Sequence, residues 1–292
     1  MARPRDIYRR LPNSIRREIA LRRLRRWLRA TAYIRWHNER VGPGQPVVNF
    51  FPMRLEPRMQ VSWMLRALRF RIGVAPVPGE PTFAWDTGTW LDEDARRTLP
   101  QGAINGSCVD VSKSRVDAAW ADASGYSIQV DPTTNSGRMV VKPEENGAHA
   151  GRLVEGPTAR RRGFVYQRFV VTRRNGRLLS TRALIIGPEM PVVLDYWSAE
   201  SDIFHGPGHC VARPPEEVYT TTEREQILSF AGLVGLDFGE LDVIRDEESG
   251  LIYVIDANRT SFMPALLSQA DLRRCYRALV PALSRLLEGR PG

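Results

Sequence analysis

The connections between apolar runs change character near residue 115, and that switch limits the architectures open to this 292-residue chain. Before it, Val47-Val48-Asn49-Phe50-Phe51 reads as a buried strand, residues 57–70 as a helix opening after Pro57, and Phe83-Ala84-Trp85 as a second strand. Strand–helix–strand order predicts a parallel α/β layer over roughly residues 44–110. After it, strands follow one another through turns. Val116–Ala123 is predicted helical, and Tyr126–Val130 and Arg138–Val141 are strand-like runs around the turn-rich stretch 131–137. Phe164–Thr172 and Leu178–Gly187 alternate apolar and polar residues and meet at the hairpin loop Arg173-Arg174-Asn175-Gly176. Glu223–Leu236 is a predicted helix, Glu240–Arg245 and Leu251–Asp256 a strand pair, and Leu272–Leu287 a terminal amphipathic helix.

The net charge of +9 belongs to one segment. Residues 1–40 hold 13 Arg against three acids, while the remainder holds 29 basic and 30 acidic residues. Residues 14–36 are predicted to form a basic amphipathic helix capped by Ser14, with Ile15, Ile19, Leu24, Trp27 and Leu28 near one face. Such a helix can dock on its own domain, lie on an anionic membrane surface or meet a partner protein. Nucleic acid is not expected, because no aromatic-interleaved basic patch recurs later. No run of about 18 apolar residues predicts a spanning helix, and the N-terminus lacks the apolar core of a secretory signal. Cys108, Cys210 and Cys275 fit no disulfide framework or zinc spacing, which points to a reducing cytoplasm, with peripheral attachment to a membrane left open.

Only two of the 42 basic residues are lysine, Lys113 and Lys142. Lysine offers a compact ammonium where arginine offers a wide fork, and a tight phosphate pocket is one reason to keep it. Lys142 closes the strand Met139-Val140-Val141 and opens the loop 143–151, which carries Gly147, His149 and Gly151; Arg152-Leu153-Val154 then resumes an extended pattern. A loop of this kind can fold over a polyphosphate, its glycines admitting backbone N–H groups to the oxygens. It can equally be a plain hairpin loop, and it is not the Gly-Lys-Ser/Thr pattern that opens a helix. Asp242 sits inside an apolar strand whose alternation partners are Glu240 and Ile244. Asp256 and Asn258, two apart, project from one strand face. If their strands pair, three oxygen-bearing side chains converge, and hard oxygen donors suit Mg²⁺. The alternative is a strand end that caps a turn. The strand Phe164–Val170 can supply backbone groups to an adenine edge or be ordinary sheet.

In this order, Lys142 with its loop, the run Gly235–Ser261 and, more loosely, Asn105…Lys113 and Ser180-Thr181-Arg182 resemble the ATP-grasp superfamily. The likeness, to a bacterial subgroup, covers roughly Asn105 to Pro264. It implies an α/β plus α+β fold in which two lobes clamp ATP behind an N-terminal parallel α/β domain of pre-ATP-grasp type. The divisions are then a basic helical extension at 1–43, the α/β domain at 44–112, a small lobe with the phosphate loop at 113–187 and a large lobe with the Mg²⁺ site at 188–292. The resemblance implies ATP phosphates on Lys113, Lys142 and the loop residues Gly147 and His149. It puts adenine against Gln167, Arg168, Phe169 and Val170, the transferred phosphoryl group on Arg182, and Mg²⁺ on Asp242, Asp256 and Asn258. His149 and His205 are candidate bases. The implied reaction is a ligation in which ATP activates a carboxylate as an acyl phosphate for attack by an amine or other nucleophile. The acceptor class, small molecule, peptide or glycan, stays open. A kinase of a sugar or lipid-linked glycan and a non-catalytic nucleotide-binding adaptor are the alternatives. Two positions depart from the usual pattern: Asp256 replaces a glutamate, and Arg259-Thr260-Ser261 follows Asn258.

Overall fold

A computed structural model describes residues 13–148, 150–174, 177–198, 209–262 and 267–289. Helix α1 (Asn13–Val41) carries most of the arginine excess. Its C-terminal half docks through Ala30, Ile34, His37 and Val41, all buried. His37 Nε2 lies 2.8 Å from the Phe70 carbonyl, and the Asn38 amide brackets the N–H and C=O of Ile72 at 2.8 and 2.9 Å. Of the expected apolar positions, Leu24, Trp27 and Leu28 are exposed, so the face that docks is a different one. At about 100° per residue, Leu24 and Leu28 fall opposite the docked face, and the side chains of Ile15 and Ile19 lie outside the described residues. No described helix is long and apolar enough to cross a membrane.

Strand β1 (Val47–Pro52) is followed by α2 (Gln60–Ala67), β2 (Arg71–Gly73) and β3 (Thr82–Trp85). The three strands form a parallel sheet in the order β2-β1-β3. Its continuous apolar runs are buried, as a sheet covered on both faces requires. Phe50 stacks on Phe83 at 5.0 Å, and Phe83 meets Phe238 edge-on at 5.4 Å, which welds this layer to the next.

Beyond the short helix α3 (Glu93–Thr98), α4 (Lys113–Ser124) starts at Ser112 and stops at the left-handed Gly125. Strands β4 (Arg138–Pro143), β5 (Arg152–Glu155) and β6 (Phe164–Arg168) make an antiparallel sheet in the order β5-β4-β6. The run Tyr126–Val130, expected as a strand, makes only an isolated bridge from Gln129 to Gln167. The Asp117 carboxylate on α4 takes the Ser127 hydroxyl at 2.6 Å and the Ile128 N–H at 3.1 Å, so side-chain bonds replace a ladder there.

The largest sheet contains β8 (Arg177–Ile186), β9 (Glu189–Ser198), β10 (His209–Arg213), β11 (Phe238–Arg245) and β12 (Ile252–Asn258), ordered β10-β9-β8-β11-β12, with the short β7 (Arg173–Arg174) beside β8. Every pairing in it is antiparallel. The boundary at 187/188 falls between β8 and β9 of this one sheet. Helix α5 (Thr221–Val234) has a complete capping box at Thr220 and Glu223 and ends at the left-handed Gly235. Period-two alternation divides the core: Ala183 and Ile185 join Trp120 of α4 and Phe230 of α5. Leu184 and Ile186 join Leu279 and Leu283 of α6 (Gln269–Glu288) on the other face, in one cluster with Phe50 and Phe83.

Candidate functional site

Register builds the site. On the face shared with Leu184, antiparallel pairing sets Arg182 opposite Asp242, Asp242 opposite Asp256, and Glu240 opposite Asn258. Three neighbouring strands thus present charged groups to one cleft of about 820 Å³. Arg182 Nη1 donates to Glu240 Oε1 at 2.9 Å, and its Nε lies 2.8 Å from Asp242 Oδ1. The guanidinium stacks 4.8 Å above the ring of Tyr196. Burial works against this cation, but Asp242 and Glu240 outweigh it and hold Arg182 charged. Burial pushes the Glu240 carboxyl up to about 7, against the pull of Arg182. Behind Glu240, the Ser261 hydroxyl lies 3.0 Å from its Oε2 and 2.7 Å from Gln60 Oε1 of α2, tying the site to the parallel layer.

The two lysines enter from the other side. Lys113, the first residue of α4, places Nζ 2.8 Å from Asp256 Oδ1 and 3.2 Å from Asn146 Oδ1. Burial raises the Asp256 carboxyl, and Lys113 opposes that rise. Lys142, on β4, lines the cleft; burial and then the Lys113 ammonium lower its pKa from 10.5 to about 8. The loop after β4 is pinned at two points. The Glu144 carboxylate receives the Ser114 N–H at 3.1 Å, at the start of α4. Asn146 donates Nδ2 to Asn258 Oδ1 at 2.9 Å and to the Ala257 carbonyl at 3.0 Å, while its own N–H meets Thr89 Oγ1 at 2.7 Å. Gly147 follows at φ 69°, a turn that favours glycine, and lines the cleft.

The structure thus brings together Lys113, Lys142, Gly147, Arg182, Asp242, Asp256 and Asn258. None of Gln167, Arg168, Phe169 and Val170 lines that cleft. Gln167 is buried opposite Val140 on β4, and Arg168 Nη2 reaches the Tyr253 hydroxyl at 3.3 Å. Phe169 lies under the Arg138 guanidinium at 4.6 Å, and Val170 belongs to the core. His149 and His205 lie outside the described residues. Asn105 does not line the cleft either; it brackets Asp237 and Phe238 from a left-handed turn at φ 62°. Glu240, Asn146 and Tyr196 belong to the site without having been candidates from the sequence. Glu240 could have been found, because alternation already placed it on the face of Asp242. Tyr196 lies on β9, whose sequence carries no clean strand pattern.

Among the described residues, no group of three or more His, Cys, Asp or Glu side chains is arranged to hold a metal ion alone. The donors that do converge are carboxylates and one amide oxygen, hard ligands of the type Mg²⁺ takes when phosphate and water complete its shell. Lys113, Lys142 and Arg182 face the carboxylates of Glu145, Glu240, Asp242 and Asp256 across the cleft. The cleft thus sets fixed cations beside hard oxygen donors, the two kinds of group that a polyphosphate and a divalent cation each need.

No protein-family model matches the sequence, and no curated protein matches it either. Solved structures do. The ATP-grasp ligase PsnB, complexed with a phosphomimetic variant of minimal precursor, Mg and ADP, aligns over 83% of this chain and 99% of its own at 16% identity and TM-score 0.53. The D-cycloserine synthetase DcsG aligns over 81% of this chain and 99% of its own at 14% identity and TM-score 0.51. For PsnB complexed with minimal precursor the match covers 60% of each chain, at 20% identity and TM-score 0.42. The chain has the ATP-grasp fold.

Proposed function

We propose that the protein is a Mg-ATP-dependent ligase that activates a carboxylate as an acyl phosphate for attack by an amine or other nucleophile. The observation that carries this reading is the single cleft in which Lys113, Lys142 and Arg182 face Asp242, Asp256 and Asn258. Lys142, unlike a paired surface lysine, gains most when an anion arrives, because burial and Lys113 both disfavour its charge. Lys113 can exchange Asp256 for a phosphate oxygen, which frees that carboxylate together with Asp242 and the Asn258 amide oxygen to hold Mg²⁺. Bound there, the ion would neutralise phosphate charge. Arg182, fixed by Glu240 and Asp242, presents its remaining N–H groups to the cleft, where charge accumulates as the substrate carboxylate attacks the γ-phosphorus and ADP leaves. The nucleophile then attacks the acyl carbon and inorganic phosphate departs. No covalent enzyme nucleophile is needed, so positioning and electrostatics supply the catalysis. The neighbours' own complexes with Mg and ADP support the nucleotide part of this reading.

The test is thermal unfolding with ATP in the presence and absence of Mg²⁺, beside a screen of metabolite pools for ADP release. The wild-type midpoint should rise with Mg-ATP; Asp242→Asn and Asp256→Asn should lose the Mg²⁺-dependent part, and Lys142→Ala most of the rise. Turnover that requires a carboxylate marks a ligase, whereas phosphate left on an alcohol marks a kinase and overturns the reaction proposed. A wild-type protein with no Mg²⁺-dependent response and no turnover refutes the nucleotide site itself.

A further inference from the structure

We propose that the N-terminal half of α1 docks the protein on an anionic lipid surface. Helix α1 has two apolar faces, and the body uses one. Ala30, Ile34, His37 and Val41 are buried against it. Leu21, Leu24 and Leu28 recur at intervals of three and four, so they share a stripe. Each is about half exposed, at 52–53%. Successive residues turn by about 100°, which sets this stripe opposite the docked face. Trp27 borders it on one side, with the Arg54 guanidinium 4.5 Å above its ring. Arg25 and Arg29 border it on the other, exposed and next to Arg22. Glu18 is the single acid in residues 13–29, and it is already spent on Arg22 at 2.5 Å.

The chemistry selects among occupants. A second copy would bring one Arg25–Arg29 row against another, with no spare acid to separate them. A protein partner would need a groove that supplies both an apolar lining for the leucines and acidic groups for Arg22, Arg25 and Arg29. A lipid surface has neither problem. Leucines and the indole enter the headgroup boundary while arginine side chains, long enough to snorkel, meet headgroup phosphates. The acidic surface supplies the missing negative charge.

The test is flotation of the full chain with vesicles of phosphatidylglycerol or of phosphatidylcholine. An arginine near an anionic surface is worth about fivefold in binding, so two give a preference on the order of twentyfold for phosphatidylglycerol. The bound fraction should fall as salt rises. Leu24→Glu/Leu28→Glu should abolish flotation, and Arg25→Glu/Arg29→Glu should remove the preference. Both pairs are exposed, so urea midpoints should match wild type and separate lost docking from lost folding. Four results overturn the proposal: no flotation with phosphatidylglycerol, equal binding to both lipids, binding unaffected by the leucine pair, or a dimer in sedimentation that the leucine pair dissolves. Binding to poly-glutamate without binding to vesicles would also overturn it, in favour of an acidic polypeptide partner. The assay reads docking alone, so its failure would leave the nucleotide site untouched.

Discussion

Replacing Lys142 with methionine should stabilise the protein and at the same time remove its response to Mg-ATP. Methionine keeps an unbranched stem of similar reach and discards the charge. In the folded protein, burial first and the Lys113 ammonium second bring the Lys142 pKa down from 10.5 to about 8. At about 1.36 kcal/mol per pH unit, that difference caps the cost of keeping Lys142 charged at roughly 3 kcal/mol. The side chain is half-buried in an open cleft, so solvent screening brings the expected gain closer to about 1–2 kcal/mol.

The sign follows from linkage. The native pKa lies below the unfolded one, so between about pH 8 and 10.5 the unfolded chain binds more protons and stability rises with pH. The penalty is complete below pH 8 and vanishes above the unfolded pKa. Urea unfolding of wild type and Lys142→Met should therefore give midpoints furthest apart at pH 7, with the variant the more stable. The two should converge as the pH approaches 10.5. A variant less stable than wild type at pH 7, or a gap that widens with pH, would refute the reasoning. Thermal scans with Mg-ATP on the same samples separate the two halves of the claim: the stability gain depends on the empty cleft, the lost ligand response on the proposed function.

Two further substitutions probe the frame. Asn105→Ala strands the N–H groups of Asp237 and Phe238 and the Phe238 carbonyl, which Asn105 now holds at 2.8, 2.9 and 2.7 Å. It should cost about 4 kcal/mol in urea unfolding. Asn105→Gly should recover only the roughly 1 kcal/mol tied to the left-handed backbone. At Gly239 a Cβ would stand 2.2 Å from the Asn258 carbonyl oxygen and 2.9 Å from Leu236 Cδ1. Gly239→Ala should force β11 from β12, lower the thermal midpoint by the equivalent of about 2–3 kcal/mol, and abolish Mg-ATP stabilisation even where the protein stays folded. An unchanged ligand response in folded Gly239→Ala would show that the register of Asp242 and Asp256 is not what the site requires.

What could be read without coordinates was local. Period-two spacing and a short connection were enough to bring Asp242, Asp256 and Asn258 towards one another, because a hairpin partner is nearby in sequence. Glu223–Leu236 carried its own glycine stop at Gly235, while its cap, Thr220, lay just outside that run. The parallel layer was legible from strand–helix–strand order, although β2 has only three residues, too short to leave a pattern. The rest depended on partners distant in sequence. Strand β9 escaped because Pro191 stands near its start and Asp195 interrupts its apolar run, yet Asp195 is buried, with Arg213 at 3.5 Å. Tyr126–Val130 misled because its composition suits a strand, while Asp117, ten or so residues earlier, takes its backbone donors. On α1, grouping the bulkiest apolar residues pointed away from the docked face, which is built from an alanine, an isoleucine, a histidine and a valine. The cleft combines both kinds of information. Its residue types are local facts, but their tolerance for burial is not: Lys113 needs Asp256, Asn146 needs Asn258, and Arg182 needs Glu240, partners 143, 112 and 58 positions apart in sequence. These pairs hold Lys113, Asn146 and Arg182 in the folded chain. A ligand can meet Lys142 directly, but it reaches Lys113 only by exchanging its own oxygens for those of Asp256, so a contact that makes the site foldable is also one that binding must break.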